Sequence, residues 1–558
     1  MIELPKGRIR GTALSVLVAA VKRTPARHVV ARVLRGELGI DAVRALGPDA
    51  RGDQPFSHAP LVARRDHSRP SQNLGVPKPV AWPRSTFLIS RALRENHVTP
   101  GQLLERAIAH ARALAGRTPY RGPILDFDEN GAHAAAQASE ARLRAGNALS
   151  ELDGVPIAIK EEINVKGLPV RVGTGWLPSD PALVDACAVS RLRAAGAVII
   201  GTTPMTEYGM SPLGGNVHRR MPRNAHVDDR LPGGSSSGSA VAVATGVVPV
   251  ALGLDGGGSI RIPACHNGVF GLKPTFGRIP ASGHGVAGGS SVVHLGPIGA
   301  STFDLAEFLE LTAGPDAGDA SSLGQPPLAR GSLIEALGRG VKGLRIGIDE
   351  DDWAAADPAV QKAARAALSS LVKDGAELVP VSISLAKHST AIGYLTIGLE
   401  FFANLADVRK RRMDQLGLDL QMLLLNISTF SPDDYLDAQR LRSELRRQVQ
   451  ATLGKVDVLA LPTTAAPAAT VSDDDERDGF VDPVALDAAC RYAFIGNLTG
   501  VPAGSAPVGL DANGVPLGLQ IIGDAWDEAS VLAVMAQLER SGAAQVERPR
   551  SAVDLLER

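Results

Sequence analysis

Val155-Pro-Ile-Ala-Ile159 and Ala197-Val-Ile-Ile200 are short runs without a polar side chain, and residues 187–196 between them read as a helix. A strand that is apolar on both faces has to be covered on both, which is the situation of a sheet between two helical layers. Working outward, Leu344-Arg-Ile-Gly-Ile348 and Val456-Asp-Val-Leu-Ala-Leu461 are further strands of this kind. On the N-terminal side, Thr99 is placed to cap a helix with Pro100 in its first turn, followed by Leu103, Leu104, Ala107 and Ala111 at helical spacing. The alternation predicts an α/β fold built on a large sheet.

The chain has 558 residues, of which 44% are hydrophobic and 21% charged, a balance that excludes wholesale disorder. No apolar run reaches the ~18–20 residues a membrane-spanning helix requires. Cys187, Cys265 and Cys490 are too few for a disulfide framework and form no CxxC pair for zinc. They fit a reducing, cytoplasmic compartment. The net charge of -1 conceals an asymmetry: residues 1–80 carry 14 Lys/Arg against 6 Asp/Glu, a net +8, which leaves -9 for the remainder. The bulk of the chain is therefore no evident nucleic-acid binder, whereas its N-terminal segment suits an acidic surface.

Residues 1–84 read as a basic, helical N-terminal extension with a proline-marked connector (Pro70, Pro77, Pro79, Pro83), and 85–558 as the main domain. Basic residues flank the apolar stretch 12–21 on both sides, unlike a secretory signal, which ends in a small-residue cleavage site. Residues 26–38 place Val30, Val33, Leu34 and Leu38 on one helical face and Arg27, Arg32 and Arg35 largely on the other. A helical hairpin packed on the body is the favoured reading. A basic amphipathic segment touching a membrane or a partner is the sharper one. Residues 385–450 lean helical and carry Phe401, Phe402, Met413, Met422 and Phe430, as core or as an insertion roofing a pocket. The acidic cluster Asp473–Glu476 reads as a solvated loop in preference to a metal site.

Two glycine–serine stretches carry the chemistry: Pro232-Gly-Gly-Ser-Ser-Ser-Gly-Ser239 and Leu254-Asp-Gly-Gly-Gly-Ser-Ile-Arg-Ile-Pro263. Both are embedded between apolar segments, unlike flexible linkers, and neither has the pattern of a phosphate-binding loop. Residues 234–238 match GxSxG around Ser236, but Val227-Asp-Asp-Arg-Leu-Pro232 before them is too polar for the buried strand a nucleophile elbow needs. Acyl transfer is the remaining reading. Glycines free the backbone to turn its N–H groups inward, so Gly256, Gly257, Gly258 and Ser259 are candidates for an oxyanion hole around a nucleophilic Ser259. A serine needs a base. Cys265 and His266 are adjacent, and on a strand their side chains would point apart. Lys160 is the better candidate, because it ends the apolar run 155–159, where burial favours the uncharged form a base must have.

At these residues the chain resembles the amidase signature family. Asp153-Gly-Val-Pro-Ile-Ala-Ile-Lys160, Pro232–Ala240, Asp255–Ala264 and Gly271-Leu-Lys-Pro-Thr275 match its hallmark stretches in order, with separations of 75 residues from Lys160 to Ser235 and 24 from Ser235 to Ser259. The likeness runs from about Ser85 to the C-terminus, through Asn497-Leu-Thr-Gly-Val-Pro502 and Gly514-Val-Pro-Leu-Gly-Leu-Gln520. Ser237 and Gly256 depart from the commoner family residues without removing a catalytic atom.

The resemblance implies a large mixed sheet sandwiched between helical layers. It also implies a Ser–cisSer–Lys triad with Ser259 as nucleophile, Ser235 as the bridging serine beside a cis peptide, and Lys160 as base. Asp255 and Arg261 match frequent family residues and are assigned as scaffolding. The implied reaction is hydrolysis of a carboxylic amide through an acyl-enzyme without cofactor or metal, with side activity on activated esters. Tyr208, Met210 and the 385–450 stretch are the candidates for lining the substrate pocket. Alternatives within the resemblance are a carbamate or aryl-amide hydrolase, the glutaminase subunit of a tRNA-dependent amidotransferase, and a non-catalytic binding protein on the same fold. The expected partners are a small-molecule amide and water, with no nucleic acid. Membrane or partner contact through residues 1–80 and homo-oligomer formation stay open.

Overall fold

The computed structural model describes residues 8–23, 26–47, 50, 61–62, 71–78, 82–284 and 290–557. Its strands are β1 (Ile9–Arg10), β2 (Asp126–Phe127), β3 (Pro156–Lys160), β4 (Val198–Thr203), β5 (Val250–Asp255), β6 (Phe270–Lys273), β7 (His294–Gly299), β8 (Arg345–Ile348), β9 (Glu377–Pro380), β10 (Val458–Pro462), β11 (Phe480–Val481), β12 (Ala503–Leu510) and β13 (Pro516–Ile522). Eleven of them form one sheet in the order β2-β4-β3-β5-β7-β6-β12-β13-β10-β8-β9. The sheet is mixed: β4, β3 and β5 are mutually parallel, as are β10, β8 and β9, while the strands between these groups pair antiparallel.

Every residue of β3, β4 and β5 is buried, Lys160 included, which is why these stretches read as apolar on both faces. Helices supply the cover. Ser237–Ala244 packs on β3, β4, β5 and β7, Pro100–Ala115 on β3 and β4, and Pro358–Lys373 and Glu528–Arg540 on β12 and β13. The predicted helix start at Thr99 is a full capping box: Thr99 Oγ1 accepts from the Gln102 N–H (3.2 Å) and Gln102 Oε1 from the Thr99 N–H (3.0 Å). The helix expected over 187–196 spans Cys187–Ala194.

The N-terminal extension is packed onto the body. Its helices Gly11–Val21 and Ala26–Glu37 lie against Leu418–Ile427, and Leu14, Val18, Val21, Val30 and Leu34 form one apolar cluster with Met422 and Leu425. Leu38 joins the main core and Val33 is half-buried. The apolar face that a membrane or partner could have met is thus occupied by the chain's own helix. No helix among the described residues is long and apolar enough to cross a membrane. The connector runs without regular structure over 71–75, tied by the Gln72 N–H to Arg339 O (3.0 Å) and the Leu74 N–H to Gly338 O (2.9 Å). Pro70 and Pro79 lie outside the described residues.

The acidic cluster departs from expectation. Asp473–Asp478 is a short helix, capped by Ser472, whose partner in a capping box is Asp475. The reason is electrostatic as well as local. Arg8 reaches Asp475 (2.9 Å) and Asp482 (3.2 Å), Arg10 reaches Asp475 (3.3 Å), and Arg223 reaches Asp473 (2.8 Å) and Glu476. β1 adds a two-residue antiparallel ladder with β11, Ile9 opposite Val481 and Arg10 opposite Phe480. The acidic surface that these N-terminal arginines meet belongs to the same molecule.

Candidate active site

Ligand sites of open α/β sheets form beyond the carboxyl ends of parallel strands, and here β3 and β5 end side by side. Ala158 is opposite Ala251 and Ile159 opposite Leu252, so Lys160 arrives level with the segment that begins at Leu254. Its Nζ donates to Leu254 O (3.4 Å) and to Ser235 Oγ (2.8 Å). Ser235 follows a cis Gly234–Ser235 peptide, just before the helix Ser237–Ala244 that lies on β3 and β5. Ser259 lies just beyond β5. It is the most exposed of the three at 8%, against 1% for Ser235 and 0% for Lys160, an order that suits the serine meeting a substrate and buries the amine behind it.

Ser235 and Ser259 line one cavity, together with Gly256 and Gly257. Gly258 does not line it. Its N–H donates instead to Asp255 Oδ1 (2.7 Å), which takes Gly258 out of the expected set of oxyanion donors and leaves the N–H groups of Gly256, Gly257 and Ser259. Gly258 has φ +114, and a Cβ there would come within 2.7 Å of the Ala493 Cβ, so glycine is required by both backbone and space.

Asp255 is the anchor of this loop. Its second oxygen accepts from the Ile260 N–H (3.2 Å), and both oxygens accept from Arg261 at 3.0 Å. Arg261 also donates to Asn497 Oδ1 (2.6 Å), to Ala493 O (2.9 Å) and to Gln520. Asn497 returns a bond to Asp255 O (2.9 Å). Burial pushes the Asp255 carboxyl up, but Arg261 and Asn497 outweigh it and hold it well below the usual carboxylate range. The scaffolding role expected of Asp255 and Arg261 thus has a structural basis, and the distant stretches around Asn497 and Gln520 are the other half of the same network. Lys273, from Gly271–Thr275, donates to Val501 O (2.6 Å) and Pro274 O (3.1 Å) and ties β6 to that stretch.

Tyr208 and Met210 line this cavity, and Tyr394, Ile397, Phe401 and Asn404 bring the 385–450 stretch to it. Tyr208 sits at φ +50, its ring edge-on to Phe401 at 5.8 Å, and burial followed by Glu207 pushes its phenol up. Sequence reasoning missed Glu162, Val293 and Phe494, which also line it. Glu162 carried a signal, two residues past Lys160; Val293 and Phe494 carried none, since only folding brings them there.

The rejected alternatives fall elsewhere. Ser236 is fully buried, donates to Leu254 O (3.3 Å) and is not among the described residues lining the cavity. Cys265 and His266 end the helix Arg261–His266; they are not on a strand. Burial pushes the Cys265 thiol up to about 12, which leaves it inert as a nucleophile.

The family model described as Amidase matches residues 121–532. The chain is 35% identical over 474 residues to a glutamyl-tRNA(Gln) amidotransferase subunit of Anaeromyxobacter sp. (strain K), covering 79% of this chain and 93% of that protein. It is 34% identical over 475 residues to the fatty acid amide hydrolase of Medicago truncatula, covering 83% and 77%. Among solved structures it is similar, with a TM-score of 0.75 and 29% identity, to a chain of a vestigial protein complex bearing on the origins of an s-triazine catabolic enzyme, covering 83% of this chain and all of that one. The match over most of the chain, on top of the fold and the motif order, places it: this protein belongs to the amidase signature family and is a hydrolase of carbon–nitrogen bonds.

Proposed function

We propose that the protein hydrolyses amides bearing an apolar or aromatic group, through an acyl-enzyme on Ser259. The observation that carries this reading is the 2.8 Å hydrogen bond from Lys160 to Ser235 beside the cavity that Ser259 shares. Ser259 Oγ attacks the carbonyl carbon; its proton passes to Ser235, and the proton of Ser235 to Lys160. The N–H groups of Gly256, Gly257 and Ser259 stabilise the oxyanion. The C–N bond then breaks as the amine nitrogen takes the proton back through Ser235. Water, deprotonated by the same pair, releases the acid.

The substrate class is inferred from the walls. Met210, Leu254, Val293, Ile397, Phe401 and Phe494 make them largely apolar. No arginine or lysine is among the described lining residues, so His284 alone of them could offer a cation to the carboxylate of glutamine. This supports an aryl amide, anilide or related carbamate over glutamine. The second reading, a glutaminase working with partner chains, is favoured by the 35% identity to one chain of a glutamyl-tRNA(Gln) amidotransferase. It also draws on the likeness to a chain that is part of a complex.

The test is a turnover screen of the purified protein on anilides, short and long acyl amides, carbamates and glutamine. Anilides or carbamates are expected to lead by kcat/KM. Ser259→Ala is expected to abolish turnover, and Ser235→Ala and Lys160→Ala each to lower it by several orders of magnitude, because the three act as one unit. Turnover by Ser259→Ala would remove the nucleophile assignment, and preference for glutamine would favour the second reading.

A further inference from the structure

Glu162 lies two residues beyond Lys160, in the turn that leaves β3, and its carboxylate reaches back to Lys160 Nζ at 2.6 Å. The two side chains are 2% and 0% exposed, so the pair is shut away from bulk water. Among the described residues Oε1 has no hydrogen-bond partner, so its contact with Lys160 is a close charge contact and not an aligned hydrogen bond. Glu162 is also the sole carboxylate among the described residues lining the cavity of Ser235 and Ser259. Removing a carboxylate from water is costly unless it is paired, and here its partner is one amine.

The oxygens around that amine are Ser235 Oγ (2.8 Å) and Leu254 O (3.4 Å), which accept hydrogen bonds from it, and Glu162 Oε1 (2.6 Å), which is in charge contact with it. A neutral amine has two N–H bonds and a lone pair. With one N–H on Leu254 O and the carboxylate of Glu162 repelling the lone pair from its own side, the lone pair is left facing Ser235 Oγ, which is the direction from which a base receives its proton. After transfer, the ammonium keeps Ser235 Oγ and Leu254 O as hydrogen-bond acceptors. Its new positive charge forms against a carboxylate.

We propose that Glu162 is a positioning residue of the proton relay, aiming the Lys160 lone pair at Ser235 and stabilising the ammonium that forms as Ser259 attacks. The inference rests on the acyl-enzyme reading above. In the step concerned, the Ser259 O–H bond breaks as its oxygen bonds to the carbonyl carbon. Ser235 receives that proton and passes its own to Lys160 Nζ. Glu162 remains a carboxylate throughout, doing for lysine what the aspartate of a Ser-His-Asp triad does for histidine.

The experiment is steady-state kinetics of Glu162→Gln on the best amide found in the screen, beside wild type and Ser259→Ala, with melting temperatures of all three. The expected result is a fall in kcat of about 10²–10³-fold, with KM within about twofold of wild type and a near-native melting temperature. A role in packing or substrate binding would raise KM or lower the melting temperature without that selective loss. Glu162→Asp and Glu162→Asn, equal in length and different in charge, form a second comparison that stands even if the Gln variant folds poorly; the Asp form is expected to be at least tenfold faster. Wild-type kcat in Glu162→Gln, or equal rates for the Asp and Asn forms, would overturn the inference while inactive Ser259→Ala left the acyl-enzyme reading standing. Turnover by Ser259→Ala would bring down that reading first.

Discussion

At the scale of single residues, the loop that carries Ser259 depends on a charge set outside the described cavity lining. Asp255 spends its oxygens on the N–H groups of Gly258 and Ile260 and on the guanidinium of Arg261, with both charged side chains 0% exposed. Removing one partner of such a pair leaves an uncompensated buried charge. Arg261→Met is therefore expected to cost about 3–5 kcal/mol of stability, read from chemical denaturation. It is also expected to lower turnover, because the 256–260 loop loses its tether. The Asp255–Arg261 pairing was approachable from the sequence, six residues apart in one motif. The turn of the Gly258 N–H towards Asp255 was not, because a glycine stretch states that the backbone is free to turn without stating which way each N–H goes.

At the scale of elements, the N-terminal helices and the helix Leu418–Ile427 form one apolar cluster that neither completes alone. Deleting residues 1–84 uncovers Met422 and Leu425, at about 1.5–3 kcal/mol each if they become fully exposed. It also removes Arg8 and Arg10 from the helix Asp473–Asp478. The truncated protein is expected to melt at clearly lower temperature than the full chain, and neither form is expected to sediment with anionic vesicles. Unchanged melting with vesicle binding by the full chain alone would restore the surface-contact role. The amphipathic pattern of residues 26–38 was legible because helical periodicity is local. What it faces was not, since a basic amphipathic helix presents the same pattern to a membrane, a partner or its own domain.

At the scale of the whole molecule, buried carboxyl groups link stability to pH. Glu539, on the helix Glu528–Arg540, accepts from the Thr302 N–H (3.0 Å) and hydroxyl, and burial pushes its carboxyl from 4.5 to about 7. In that window the folded state keeps a proton that the unfolded chain has released, so stability falls as pH rises from about 4.5 to about 7. Glu539→Gln is expected to flatten this part of the curve and to stabilise the protein at pH 8 by on the order of 2 kcal/mol, measured by denaturation across pH. The α/β architecture and the stretches that carry Lys160, Ser235 and Ser259 were readable beforehand because strand periodicity, glycine loops and motif spacing are properties of adjacent residues. The sheet order, the Arg261 network with Asn497 and Gln520, the Val293 and Phe494 walls and the Glu162–Lys160 contact were decided only by tertiary structure. They join groups whose meeting depends on side-chain direction and on strands far apart in sequence, and a linear pattern carries neither.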